Sequence, residues 1–271
     1  MTMITMINTL NRHHIKTLFS FFFKLGVRSK RAKLFFLVSL IPTIFFIITK
    51  LVAFINTSNG ISMSNPFAQI GGSFYFQLFI PLLCLFYGSS VINDEIDNKT
   101  LIYLTTSPVS KASIVLGKSL AHIAVTIIII ISGLFFSYAL ANTAHVTEVS
   151  YIKEFGAFIG VALLSIIAYS SLFTLMGTLL KKSILLGLFF ILGWESVVQF
   201  FPGTTQKLTI NHYIKSLLPI QLKGNDSILS FQLQPSTVSE SIVTLLLITV
   251  VFLAISIFIF YNKEYVLSDI E

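Results

Sequence analysis

Six apolar runs of about 20 residues, parted by charged or turn-forming segments, dictate what this chain can fold into. An α-helix needs about 20 residues to cross roughly 30 Å of hydrocarbon, whereas a barrel strand needs only about 10 and alternates in polarity. These runs do not alternate. They read as spanning helices over residues 34–55, 73–92, 119–141, 157–180, 184–201 and 241–261, which makes the fold class an all-α integral membrane protein. Composition agrees, since 55% of the 271 residues are hydrophobic and 11% charged, against about 25% charged in a soluble domain. The fourth and fifth runs are parted only by Lys-Lys-Ser at 181–183, where two lysines mark a membrane surface. Pro42 and Pro81 fall inside the first two runs and predict bends. Gly160, Ser165, Ala168 and Gly177 give the fourth a small-residue face for close helix packing.

Six spans put both termini on one side, and cations choose that side. Thirteen lysines and arginines fall on the side of the termini and five on the other, which favours cytoplasmic termini. The net charge of +7 is mostly juxtamembrane, so it reads as topology or lipid contact rather than nucleic-acid binding. The plan is a cytoplasmic arm over 1–33, a transmembrane domain over 34–261, a cytoplasmic segment over 93–118 within it, an external loop over 202–240 for which hydropathy leaves a small helix, partial re-entrance and an irregular loop open, and a tail over 262–271. In the arm, Ile15, Leu18, Phe19 and Phe22 stand at helical spacing against Lys16, Ser20 and Lys24, which predicts an amphipathic helix on the membrane surface. The alternative is an extension of the first span. The arm has no cleavable-signal pattern, and its opening MTMITM reads as native, as an expression leader or as a misplaced start. Cys84, the single cysteine, lies inside a run and can make no intrachain disulfide.

The polar segment after the second run is compact. Asp94, Glu95 and Asp97 sit where a carboxylate gains nothing from the helix dipole and needs a basic partner. From Thr100, the apolar Leu101, Ile102 and Leu104 predict a short lateral helix, and Ser107-Pro108 reads as N-cap and first position of the next helix. A rigid lateral helix can transmit a push from a cytoplasmic partner into the spans. A capped turn with topology-setting lysines is the other reading, and spacing alone leaves both open.

Over residues 87–121, YGSSVINDEIDNKTLIYLTTSPVSKASIVLGKSLA, an acid is followed by Thr-Leu, an apolar and small run, Ser-Pro, a basic residue and Leu-Gly-Lys. This pattern resembles the permease subunits of the ABC-2 class of ABC transporters, and it is especially similar to the branch containing the permease of the nitrous-oxide-reductase maturation system. The resemblance implies six spans, an N-terminal elbow helix, and a coupling element of Glu95, Thr100, Leu101, Pro108, Lys111, Gly117 and Lys118 that docks on an ATP-binding subunit. It implies two permeases pairing with two ATPases in a bacterial inner membrane, together with membrane lipid and an extracytoplasmic accessory protein. ATP and Mg2+ belong to the ATPase, and this chain needs no cofactor. One position departs from the family: Lys99 stands where glycine is common.

The sequence carries no chemistry of its own. LGKSL at 116–120 ends like a phosphate-binding loop but lacks the earlier glycine and follows no strand, so any ATPase is a separate chain. The histidines are scattered, with no metal-ligand spacing, and no hydrolase motif occurs. Glu195, beside Trp194, is the one acid inside a run; it is either a path-lining or packing residue or an anchor at the outer interface. A transporter permease without enzymatic activity, exporting its substrate, is the leading expectation. A stand-alone scaffold or ion-coupled carrier is the alternative.

Overall fold

The computed structural model describes residues 3–55, 67–98, 100, 109–143, 148–180, 182–198, 201, 204–219 and 235–263. Helix α1 (Met3–Arg28) stops at Ser29. The Ser29 hydroxyl donates to Gly26 O at 2.7 Å and accepts from Ala32 N at 3.1 Å, so one residue ends α1 and caps α2 (Lys30–Ser39). That break separates α1 from the first span. Along α1, Phe22 is buried and Ile15, Leu18 and Phe19 are half-buried, while Lys16, Ser20 and Lys24 are exposed.

Helix α2 passes into α3 (Ile41–Ile55) at Leu40, because Pro42 has no N–H with which to continue the ladder. The Tyr75 hydroxyl donates to Ser39 O at 2.6 Å and contacts Ser137 Oγ at 2.8 Å, which in turn meets Thr43 Oγ1 at 2.7 Å. A carbonyl only accepts, so the protons run in one direction, from Thr43 through Ser137 and Tyr75 to Ser39 O. The bend is thereby fixed to two neighbouring helices. The second predicted bend falls where a π-helical stretch, Phe67–Phe79, passes into α4 (Ile80–Asp97) with Pro81 in the first α-turn.

The chain continues as α5 (Lys111–Ala141), α6 (Val149–Leu179), α7 (Ser183–Phe189) with a π-helical turn Phe190–Glu195, a 3-10 turn Thr204–Leu208, α8 (Ile210–Leu217) and α9 (Val238–Asn262). Among the described residues, five helical stretches are long and apolar enough to cross a membrane: Lys30–Val52, Ile70–Ile96, Lys111–Ala141, Val149–Leu179 and Val238–Asn262. The protein is a multi-pass membrane protein. Of the expected span 184–201, residues 199 and 200 lie outside the described residues. Its apolar helix runs from Ser183 to Glu195, about 20 Å at 1.5 Å per residue, short of the roughly 30 Å of hydrocarbon.

Four contacts bring the helix ends together at the basic end of the bundle. Arg31 meets Asp94 at 3.1 Å, Asn93 Nδ2 donates to Ser183 Oγ at 2.6 Å, Lys111 Nζ donates to Tyr261 O at 3.1 Å, and Lys263 Nζ donates to Thr178 O at 3.1 Å. At the opposite end Lys207 pairs with Glu240 at 3.1 Å, so the chain has changed ends by the time it leaves the short helix.

Small residues set the central crossing of α4 and α6. A Cβ on Gly88 would stand 2.8 Å from Phe173 Cβ, and one on Gly177 would stand 2.7 Å from Ser89 O. Ser165 and Ala168 are also buried. Gly160 is not part of this face, because a Cβ there would meet nothing within 4 Å; its side of α6 points out of the bundle. Phenylalanine serves two solvents. Phe67 packs edge-on against Tyr138 and Phe158 at 4.9 and 5.0 Å, whereas Phe135, Phe189 and Phe258 face outward, where lipid makes apolar exposure costless.

Candidate functional site

Helix α4 ends in a closure that gives Glu95 its place. Asn98 N donates to Asp94 O at 3.1 Å and Thr100 N donates to Glu95 O at 2.9 Å. The second bond spans five residues, the longer closure of a C-terminal motif whose intervening position is commonly glycine. Lys99 lies outside the described residues. The Thr100 hydroxyl donates to Glu95 Oε2, so side chain and backbone of one residue hold the same turn.

The basic partner that Glu95 needs is Lys118, two turns into α5. Its Nζ lies 2.7 Å from Glu95 Oε1, with the lysine side chain 4% exposed and the glutamate 15%. The same ammonium stands over the Phe22 ring of α1, 5.0 Å from its centre. One residue earlier, a Cβ on Gly117 would come within 2.9 Å of Leu18 Cβ, so α1 rests directly on the backbone of α5. Three helices meet at this ion pair. A cavity of about 360 Å³ opens beside it, lined in part by Ser29, Arg31, Tyr87, Asp94 and His122. His122 Nδ1 bonds Tyr87 O at 2.8 Å; because the carbonyl accepts, Nδ1 carries the proton.

Of the coupling residues expected from the sequence, the structure brings Glu95, Thr100 and Lys118 into one cluster and places Gly117 at its contact with α1. Lys111 stands apart at the start of α5, tied to Tyr261 O and lying over the Tyr261 ring. Leu101, Pro108 and the expected lateral helix lie outside the described residues. The expected cap at Ser107-Pro108 is corrected: α5 begins at Lys111, and Ser110 caps it by accepting from Ser113 N at 3.2 Å and bonding Ser113 Oγ at 2.7 Å. Ser110 therefore has two partners where a serine cap ordinarily has one. Sequence reasoning put Phe22 on the apolar face of the arm but linked neither it nor Arg31 or His122 to this cluster, because their partners are on other helices.

Glu195 and Trp194 lie away from this cluster and are not brought together. Trp194 is 45% exposed, while Glu195 is 3% exposed. The Glu195 carboxylate accepts from Ile210 N and Asn211 N, both at 3.1 Å, and so caps the start of α8. Thr209 caps the same helix through His212 N at 3.3 Å. Charge-assisted bonds to buried amides contribute more than neutral ones. Glu195→Ala is accordingly expected to reduce unfolding free energy by about 2 kcal/mol, with Glu195→Gln losing less because its amide oxygen still accepts. Thermal unfolding in detergent measures both, and equal stability of Glu195→Ala and wild type would remove the capping role.

A family model described as "ABC-2 family transporter protein" matches residues 2–265. The chain belongs to the ABC-2 transporter family. The match runs from α1 through α9, so the ABC-2 assignment covers the spans, the cluster around Glu95 and the Glu195-capped helix alike. A comparison with curated proteins found no match.

Proposed function

We propose that this ABC-2 family chain is the permease subunit of an exporter, with two copies pairing with two copies of a separate ATP-binding subunit. The observation that carries the reading is the Glu95–Lys118 pair, which joins the end of α4, the start of α5 and the flank of α1 at the basic end of the bundle. That end is the cytoplasmic one, by the excess of lysine and arginine around it. A force applied there reaches two spanning helices at once, because neither the ion pair nor the Gly117 contact leaves slack.

In this reading α1 is the elbow helix, the segment 93–118 is the coupling segment, and Glu95 acts by holding its corner. Ser183–Glu195 is the incomplete sixth crossing, supported by the change of ends between Ser183 and Lys207. Within this proposal, the pattern over residues 87–121 is similar to the branch containing the nitrous-oxide-reductase maturation permease. ATP and Mg2+ act in the partner, and no bond of the substrate is broken in this chain.

Affinity purification of the tagged chain in mild detergent tests the reading. An ATP-binding subunit is expected at about one copy per permease. A folded chain that repeatedly emerges without any ATPase would overturn it in favour of a stand-alone membrane protein.

A further inference from the structure

We infer that a groove between α2 and α5 holds one acyl chain of an anionic phospholipid, whose headgroup meets Lys33. The groove has a volume of about 470 Å³. Ala32, Val125 and Ile129 form its floor, at 7%, 1% and 4% exposure, and Val27, Phe36 and Ile128 are among its partly exposed walls. Lys33 is the one charged residue that lines it.

Two observations select the occupant. The first is position. All of the lining except Val27 of α1 belongs to two helices of spanning length, and Leu37 lies seven residues beyond the start of the first candidate span, about 10 Å inward at 1.5 Å per residue. A groove of that depth opens to hydrocarbon, where a polar ligand would be unsolvated. The second is charge. Arg28, Lys30, Arg31 and Lys33 are all exposed within six residues of the chain; Lys33 lines the groove, Lys30 and Arg31 line the cavity beside Glu95, and Arg31 pairs with Asp94. Among the described residues, Arg28, Lys30 and Lys33 make no ion pair. A ligand apolar along its length and anionic at its end matches both, which is the chemistry of a phosphatidylglycerol-like lipid.

The groove is pre-formed. A Cβ on Gly26 would stand 3.0 Å from Val125 Cγ2, so α1 is seated against α5 beside Val125 of the floor. The inference is independent of the transporter reading, because it concerns this chain alone in a bilayer.

The test uses the full chain in vesicles with its single tryptophan moved into the groove wall, as Phe36→Trp with Trp194→Phe. Quenching by brominated phosphatidylglycerol is expected to report binding about fivefold tighter than brominated phosphatidylcholine. Lys33→Gln should bring the two lipids close to equality. Native mass spectrometry of the chain with Phe36 and Trp194 in place, released from mixed-lipid nanodiscs, provides a second readout. A retained phosphatidylglycerol adduct is expected, lost on Lys33→Gln and on Ile128→Trp, which fills the groove. Equal affinity for the two lipids, a preference unchanged by Lys33→Gln, or a tryptophan shielded from both lipids by a second copy of the chain would each overturn the inference.

Discussion

Lys118→Met is expected to reduce the unfolding free energy of the bundle by about 3 to 5 kcal/mol, because it strands the Glu95 carboxylate with little water to receive it. Adding Glu95→Leu should restore most of that loss, since two well-packed apolar side chains replace a buried ion pair at little net cost. The pattern separates a buried pair from a solvated surface pair, whose removal would change stability by less than about 1 kcal/mol. The side chains are 4% and 15% exposed, so the buried case applies. A double-mutant cycle by thermal unfolding in one detergent measures it, and additive single effects would show that the two groups do not support each other. Under the proposed function, the double variant regains stability yet still fails to stimulate the partner ATPase, because the carboxylate that anchors Thr100 is gone.

Gly177→Leu is expected to be as disruptive, through a different mechanism. The first added carbon would stand 2.7 Å from Ser89 O and 3.0 Å from Ser89 Cα, and a backbone cannot swing aside as a side chain can. Helices α4 and α6 must separate along the central crossing, a loss of about 3 kcal/mol at the upper end of overpacking effects. Gly160→Leu supplies the control on the same helix. It meets nothing within 4 Å and should stay within about 0.5 kcal/mol of wild type. Protease resistance and thermal unfolding in matched micelles check the pair, and similar behaviour of the two variants would show that the crossing is looser than these distances require.

These two glycines also mark what the sequence could disclose. Both belong to one small-residue run, and spacing suggested packing at each, but only the position of α4 decides which side of α6 is inside. The long spans were legible because length and apolarity alone demand a helix. The face of α1 was legible because its lysines and aromatics separate at helical spacing. Within the run 184–201, hydropathy could not decide the role of Glu195, because it cannot see that this side chain turns inward to amides 15 and 16 positions later. The partner of Glu95 was equally hidden. The need for a cation was evident from its helix end, but Lys118 lies 23 residues away, and its suitability depends on Gly117 letting α1 settle beside it. The sequence reading put the cap at Ser107-Pro108, whereas the described start of α5 is capped by Ser110, which makes two bonds to Ser113.

Lys263 differs from Lys118 in what it holds. Its ammonium is shared between Thr178 O and Leu179 O at 3.1 and 3.2 Å, two adjacent acceptors at the end of α6 that differ little in energy. Both acceptors are backbone oxygens, so any residue at 178 or 179 other than one that breaks the helix supplies the same acceptor. The link at Glu95 instead depends on two particular side chains, Glu95 and Lys118. One corner of the bundle is thus tolerant of substitution in its acceptors and the other is not.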